Sequence, residues 1–140
     1  MPLSLIPVAK KVPLRGEIPI RVLVVDDEPL IRWSICAALA AANFDAVAAP
    51  TPDAARRMAA EWPPPRVIIL DVQPDGQGRE LMTDLRAIYP ECRFVLMSTA
   101  RRGAQAAPLN DRVQTIEKPF DLGELVKLVD RATQGAGGVS

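Results

Sequence analysis

Three carboxylates, two adjacent hydroxyls and one lysine each stand at the end of a strand-like run in this chain. Asp26-Asp27 follow the run 20–25, Asp71 closes 67–70, Ser98-Thr99 follow 94–97 and Lys118 follows 113–117. Drawn together, three carboxylates would repel and push a proton onto one of them unless a cation intervened. A site of oxygen donors suits a hard ion such as Mg²⁺, which keeps several waters and takes one or two carboxylates plus phosphate oxygens. A carboxylate beside such an ion can accept a phosphoryl group as an aspartyl-phosphate. An ammonium and a hydroxyl would then stabilise the charge on the equatorial oxygens. Histidine is absent from the sequence, so any imidazole in this chemistry comes from a partner.

The elements that must position these groups alternate in type. Apart from Arg21, the runs 20–25, 67–70 and 94–97 are apolar, the pattern of strands buried on both faces of a parallel sheet. Residues 44–48 and 113–117 are weaker strand candidates. Between them, Ile31, Ile35, Ala38, Leu39 and Ala42 recur at helical spacing after Pro29, which suits a first helical turn. Asn43 ends that helix. Thr51, Pro52 and Asp53 form a good helix start, predicting a helix to about Glu61. Leu81, Leu85 and Ile88 mark a third helix that stops at Tyr89-Pro90. Asp121 and Glu124 resemble a capping box before the stripe Leu122, Leu125, Val126 and Val129. Residues 103–107 suit at most two turns of helix, broken by Pro108 and Asn110-Asp111.

Five strands alternating with helices over short connections predict an α/β fold, a doubly wound parallel sheet with helices on both faces. In such a sheet, ligands bind beyond the carboxyl ends of the strands, so every candidate group falls on one rim. The expected organisation is a Pro-rich N-terminal extension over 1–19, one domain over 20–133 and a flexible tail over 134–140.

With 140 residues, the chain is long enough for one core. Its 17 basic and 17 acidic residues balance, which argues against direct nucleic-acid binding. No apolar run approaches the ~20 residues of a membrane span. Pro2, Pro7 and Pro13 interrupt the apolar start and Lys10-Lys11 follow it, the wrong order for a signal peptide. Cys36 and Cys92 lack metal-ligand spacing and suit reduced thiols, so a cytoplasmic location is expected.

These residues resemble the receiver domains of two-component response regulators from about Ile20 to Thr133. The similarity is greatest to receivers of the nitrogen-regulation class, across Val24-Val25-Asp26-Asp27-Glu28 and Ile31-Arg32-Trp33. The resemblance implies a flavodoxin-like sheet of order 2-1-3-4-5. It also implies Asp26 and Asp27 as the metal-site acids, Asp71 as phosphoacceptor and Ser98 as the hydroxyl switch, with Thr99 as runner-up. Lys118, in Lys118-Pro119-Phe120 with a cis bond before the proline, would hold the phosphoryl group. The backbone carbonyl of Gln73 would complete the Mg²⁺ shell. The implied partners are a sensor histidine kinase or histidine phosphotransfer protein and a downstream protein. The protein itself would not be an enzyme beyond promoting its own phosphotransfer and slow dephosphorylation. With no output domain after the last helix, it would act by binding a partner or belong to something longer.

Two departures bear on that expectation. The loop Asp71-Val72-Gln73-Pro74 is one residue shorter than the family pattern, and allowing for this the spacing selects Ser98. Thr115 stands where many members carry Tyr or Phe. A receiver-shaped interaction module with impaired phosphorylation is therefore an alternative. A phosphatase of the haloacid-dehalogenase kind is a remote one, because that class wants a second Asp where this chain has Gln73. Simpler roles also exist: Asp26-Asp27 as helix-capping acids, Ser98 as a strand-end hydroxyl and Lys118 as a solvated lysine. Trp33 lies off the apolar stripe of its helix and suits either partner docking or cover by Leu5, Ile6 or Val8.

Overall fold

The computed structural model describes residues 19–61, 63–72, 77–99 and 112–137. The elements are β1 (Arg21–Val25), α1 (Pro29–Ala41), β2 (Asp45–Ala49), α2 (Pro52–Ala59), β3 (Val67–Asp71), α3 (Gln77–Ile88), β4 (Arg93–Thr99), β5 (Val113–Lys118) and α4 (Leu122–Gly137). The N-terminal extension and residues 100–111 lie outside the described residues.

All five strands are parallel, as the alternation of elements predicts, and run in the order β2-β1-β3-β4-β5 that the resemblance implied. β3 is central, flanked by β1 and β4, and these three interior strands are apolar on both faces. Leu23, Ile68, Leu70, Phe94 and Leu96 pack with Ala55 of α2 and Leu81 and Leu85 of α3. Val24, Ile69, Val95 and Met97 pack on the other face with Ile35 and Leu39 of α1 and Leu125 and Val129 of α4. The strands that read weakly in the sequence, β2 and β5, are the half-buried edges of the sheet.

Local chemistry sets the helix ends. Thr51 Oγ1 accepts the Ala54 amide at 3.1 Å, and Pro52 opens α2. This helix stops at Ala59, two residues before the expected Glu61. Asn43 takes φ 75° after α1, a left-handed conformation that asparagine tolerates better than most residues. α4 continues to Gly137, into the expected tail. Leu125, Val129 and Ala132 anchor it against the sheet, and each residue added to an established helix gains one further hydrogen bond. Among the described residues, no helix is long and apolar enough to cross a membrane.

Candidate functional site: an acidic rim with one lysine

The rim forms because β1 and β3 are neighbours in register, with Val25 opposite Leu70. Asp26 and Asp71 therefore emerge side by side from these two strands. Asp26 is 1% exposed, Asp71 is half-buried and Asp27 is exposed. One carboxylate oxygen from each of the three residues lies within 4.8 Å of the others. Three hard oxygen donors at this spacing fit a Mg²⁺ ion, which the family implies.

The β1–α1 turn is held from both sides. Asp26 Oδ1 accepts the Glu28 amide at 2.8 Å. Arg32, at the start of α1, donates from Nη1 to the Asp26 carbonyl at 2.9 Å. The role of Arg32 in this turn is not evident from the sequence, because it depends on a side chain folding back over one helical turn.

Lys118 ends β5, and its ammonium reaches the acids. Nζ donates to Asp71 Oδ1 at 3.1 Å and to Asp26 Oδ2 at 3.3 Å. Burial raises the pKa of Asp71; Lys118 opposes the shift, while the charges of Asp26 and Asp27 reinforce it. Burial alone would lower the pKa of Lys118, but its hydrogen bonds to Asp71 and Asp26 and their charges raise it overall. The lysine thus stays charged. Lys118-Pro119 is cis, as the resemblance implied.

Side chains alternate between the faces of a strand. Asp71 continues the series Val67 and Ile69, Asp26 continues Val22 and Val24, and Lys118 follows Ile116, all on the α1/α4 face. Ser98 instead continues Phe94 and Leu96, which pack on the α2/α3 face. It is 1% exposed, and its Oγ has no hydrogen-bond partner among the described residues. The fold thus does not bring the Ser98 side chain to Asp71. The Cα of Thr99 pairs with that of Lys118. Gln73 lies outside the described residues.

Gly78 is a site residue that sequence reasoning missed. A Cβ there would stand 2.8 Å from the Asp71 carbonyl oxygen and 3.0 Å from Val72 Cα, both backbone atoms. α3 can therefore approach the acceptor strand only through a glycine. The available signal was a glycine in the first turn of a helix, where its low propensity calls for a packing reason.

Beside the rim, Leu30, Ile31, Ile35, Phe120 and Leu122 line a groove of about 420 Å³ that also touches Lys118. Leu30 and Trp33 project from α1 with 78% and 70% of their surface exposed.

A five-stranded parallel sheet carrying three aspartates and a lysine on its carboxyl edge defines a class of signal-receiving α/β module. The chain belongs to the response regulator receiver domain family, whose family model matches residues 22–130. It is 31% identical over 113 residues to the DNA-binding transcriptional regulator NtrC of Azospirillum brasilense, a match that covers 79% of this chain and 24% of that protein. The chain thus spans about a quarter of the length of the curated relative it matches. NtrX from Brucella abortus, solved in complex with ATP, superposes with a TM-score of 0.75 at 25% identity, covering 85% of this chain and 28% of that one. Both relatives bear out the expected similarity to nitrogen-regulation receivers. A CheY-like receiver domain protein from Methanospirillum hungatei JF-1 shares the fold, with a TM-score of 0.72, 19% identity and coverage of 85% and 97%.

Proposed function

We propose that this receiver domain accepts a phosphoryl group on Asp71 from a phosphohistidine of a partner kinase or phosphotransfer protein. The observation that carries this reading is the position of Lys118 Nζ, shared between Asp71 and Asp26 inside a three-carboxylate cluster. Asp26, Asp27 and Asp71, with the Gln73 carbonyl, would hold Mg²⁺. When bound, the ion neutralises phosphate charge and keeps the three acids ionised together. An Asp71 carboxylate oxygen attacks phosphorus, the P–N bond to the donor imidazole breaks, and the nitrogen retains the electron pair. Lys118 transfers its hydrogen bond from Asp71 to a phosphoryl oxygen.

Thr99 supplies the hydroxyl that follows the phosphoryl group, in place of the Ser98 favoured by spacing. Its support is the register: the Cα of Thr99 pairs with that of Lys118. The donor helix docks in the groove beside Leu30 and Phe120, which brings its histidine alongside Lys118. The chain acts in the cytoplasm as a switch for a downstream protein, and its only chemistry is on its own aspartate.

Incubation with acetyl phosphate and Mg²⁺, followed by intact-mass measurement and tryptophan fluorescence, tests this reading. One phosphoryl adduct, dependent on Mg²⁺ and absent in Asp71→Asn, is expected. No adduct and no beryllofluoride response would favour the interaction module instead, and turnover of phosphate esters would favour a phosphatase.

A further inference from the structure

α1 is apolar on its solvent side as well as on the side that faces the sheet. Ile35 and Leu39 are its buried residues. On the opposite side Leu30, Trp33, Ala37 and Ala41 recur at helical spacing, and all four are exposed. Arg32 is the single charged residue of the helix, and it folds back onto the Asp26 carbonyl. A helix that is apolar all round is normally covered all round. Among the described residues this side of α1 is open.

An apolar face without charge suits a second copy of the chain or a segment of the same chain, and area decides between them. A helix of 13 residues is about 20 Å long and presents a face about 10 Å wide, or roughly 200 Å². A stable pair of proteins buries about 800 Å² on each partner, so this face alone is too small to hold a second copy. A tethered segment needs far less, because a short linker holds it at an effective concentration of about a millimolar. Residues 1–18 precede the described part of the chain and supply such a segment. Leu3, Leu5, Ile6 and Val8 stand in a stretch with no charged side chain before Lys10-Lys11.

The point of entry puts the segment within reach. Ile20 packs against the same core cluster as Ala42 and Phe44, and its carbonyl accepts the Asp45 amide at 2.9 Å. The chain therefore enters β1 beside the C-terminal end of α1. From Lys11 to Ile20 an extended chain spans up to about 30 Å, more than the length of the helix. Charge sets the register at the far end, where Asp27 and Glu28 are exposed just before α1. Val8 and Lys10 stand about 7 Å apart in extended chain, close to the rise from Glu28 to Trp33 along the helix. We propose that residues 3–8 lie across Leu30 and Trp33 as an intramolecular cover for α1, with Lys10-Lys11 beside Asp27 and Glu28. Leu30 also lines the groove beside Lys118, so a helix that docks there has to displace the segment.

NMR of the whole chain tests this, with Trp62→Phe leaving Trp33 as the single tryptophan. NOEs from the Trp33 indole to the methyl groups of Leu5, Ile6 or Val8 are expected, unchanged on dilution. Leu5→Ser, Ile6→Ser and Val8→Ser together should abolish them and open the indole to acrylamide quenching, while the β1 and β3 amide resonances stay in place. Lys10→Glu with Lys11→Glu should expose Trp33 at low salt, where surface charges act most strongly. Absence of these NOEs, or equal quenching of the parent and the triple serine variant, would overturn the proposal. NOEs found only between differently labelled chains would assign the face to a second copy instead. Trp33 still covered after the lysine reversal would overturn the pairing of the dilysine with Asp27 and Glu28.

Discussion

Lys118 Nζ lies 3.1 Å from Asp71 and 3.3 Å from Asp26, so one ammonium bridges the carboxylates of two adjacent strands. Removing it leaves buried negative charge uncompensated. Lys118→Ala should cost the metal-free protein about 1–3 kcal/mol in urea denaturation, with much of the loss recovered on adding Mg²⁺. An unchanged midpoint would show that the bridge adds nothing to stability.

The raised Asp71 pKa makes the opposite prediction for the acid. A carboxyl whose folded pKa lies above its ordinary 3.8 favours folding when protonated, and that contribution fades as pH rises through the raised value. At neutral pH without metal, Asp71→Asn should therefore be more stable than the wild type. The difference should vanish in acid below the ordinary carboxylate value. A variant less stable than the wild type at neutral pH would contradict this sign.

Protons and Mg²⁺ compete for the same carboxylate. Mg²⁺ affinity, followed by calorimetry, should fall as pH drops from neutral towards the raised Asp71 pKa. Affinity independent of pH over that interval would mean that Asp71 is not a ligand.

Gly78→Ala would put a methyl carbon 2.8 Å from the Asp71 carbonyl oxygen. Backbone must shift to make room, at a cost of about 1–3 kcal/mol. The variant should stay folded yet label more slowly with acetyl phosphate, since the displaced backbone carries the acceptor. Wild-type labelling would show that α3 yields instead.

The two hydroxyls can be separated. Ser98 Oγ is buried with no hydrogen-bond partner among the described residues, so Ser98→Ala should be neutral or slightly stabilising and leave the lifetime of the phosphoryl adduct unchanged. Thr99→Ala should change that lifetime several-fold. The reverse pattern, read by the decay of intact-mass signal, would restore Ser98.

This pair also marks the limit of what the sequence made legible. The apolar runs of β1, β3 and β4 announced buried parallel strands, and Asp26, Asp27, Asp71 and Lys118 followed from strand ends. Residue counting selected Ser98, but a slip of one residue turns a side chain to the other face of the sheet. The pairing of Thr99 with Lys118 is what favours Thr99 in the proposed role. Gly78 and Arg32 were missed for a related reason: their importance lies in a tertiary approach that no local pattern encodes. Edge strands β2 and β5 read weakly because half-burial breaks the apolar run.

The placement of β1 and β3 inside the sheet, each paired on both edges, has a further consequence for amide exchange. Val24 and Ile69 are fully buried and hydrogen-bonded between strands on both sides, so their amides should exchange only when the whole domain opens. β2 and β5 can fray while Asp26 and Asp71 keep their spacing, since the acids stand on the last part of the molecule to unfold.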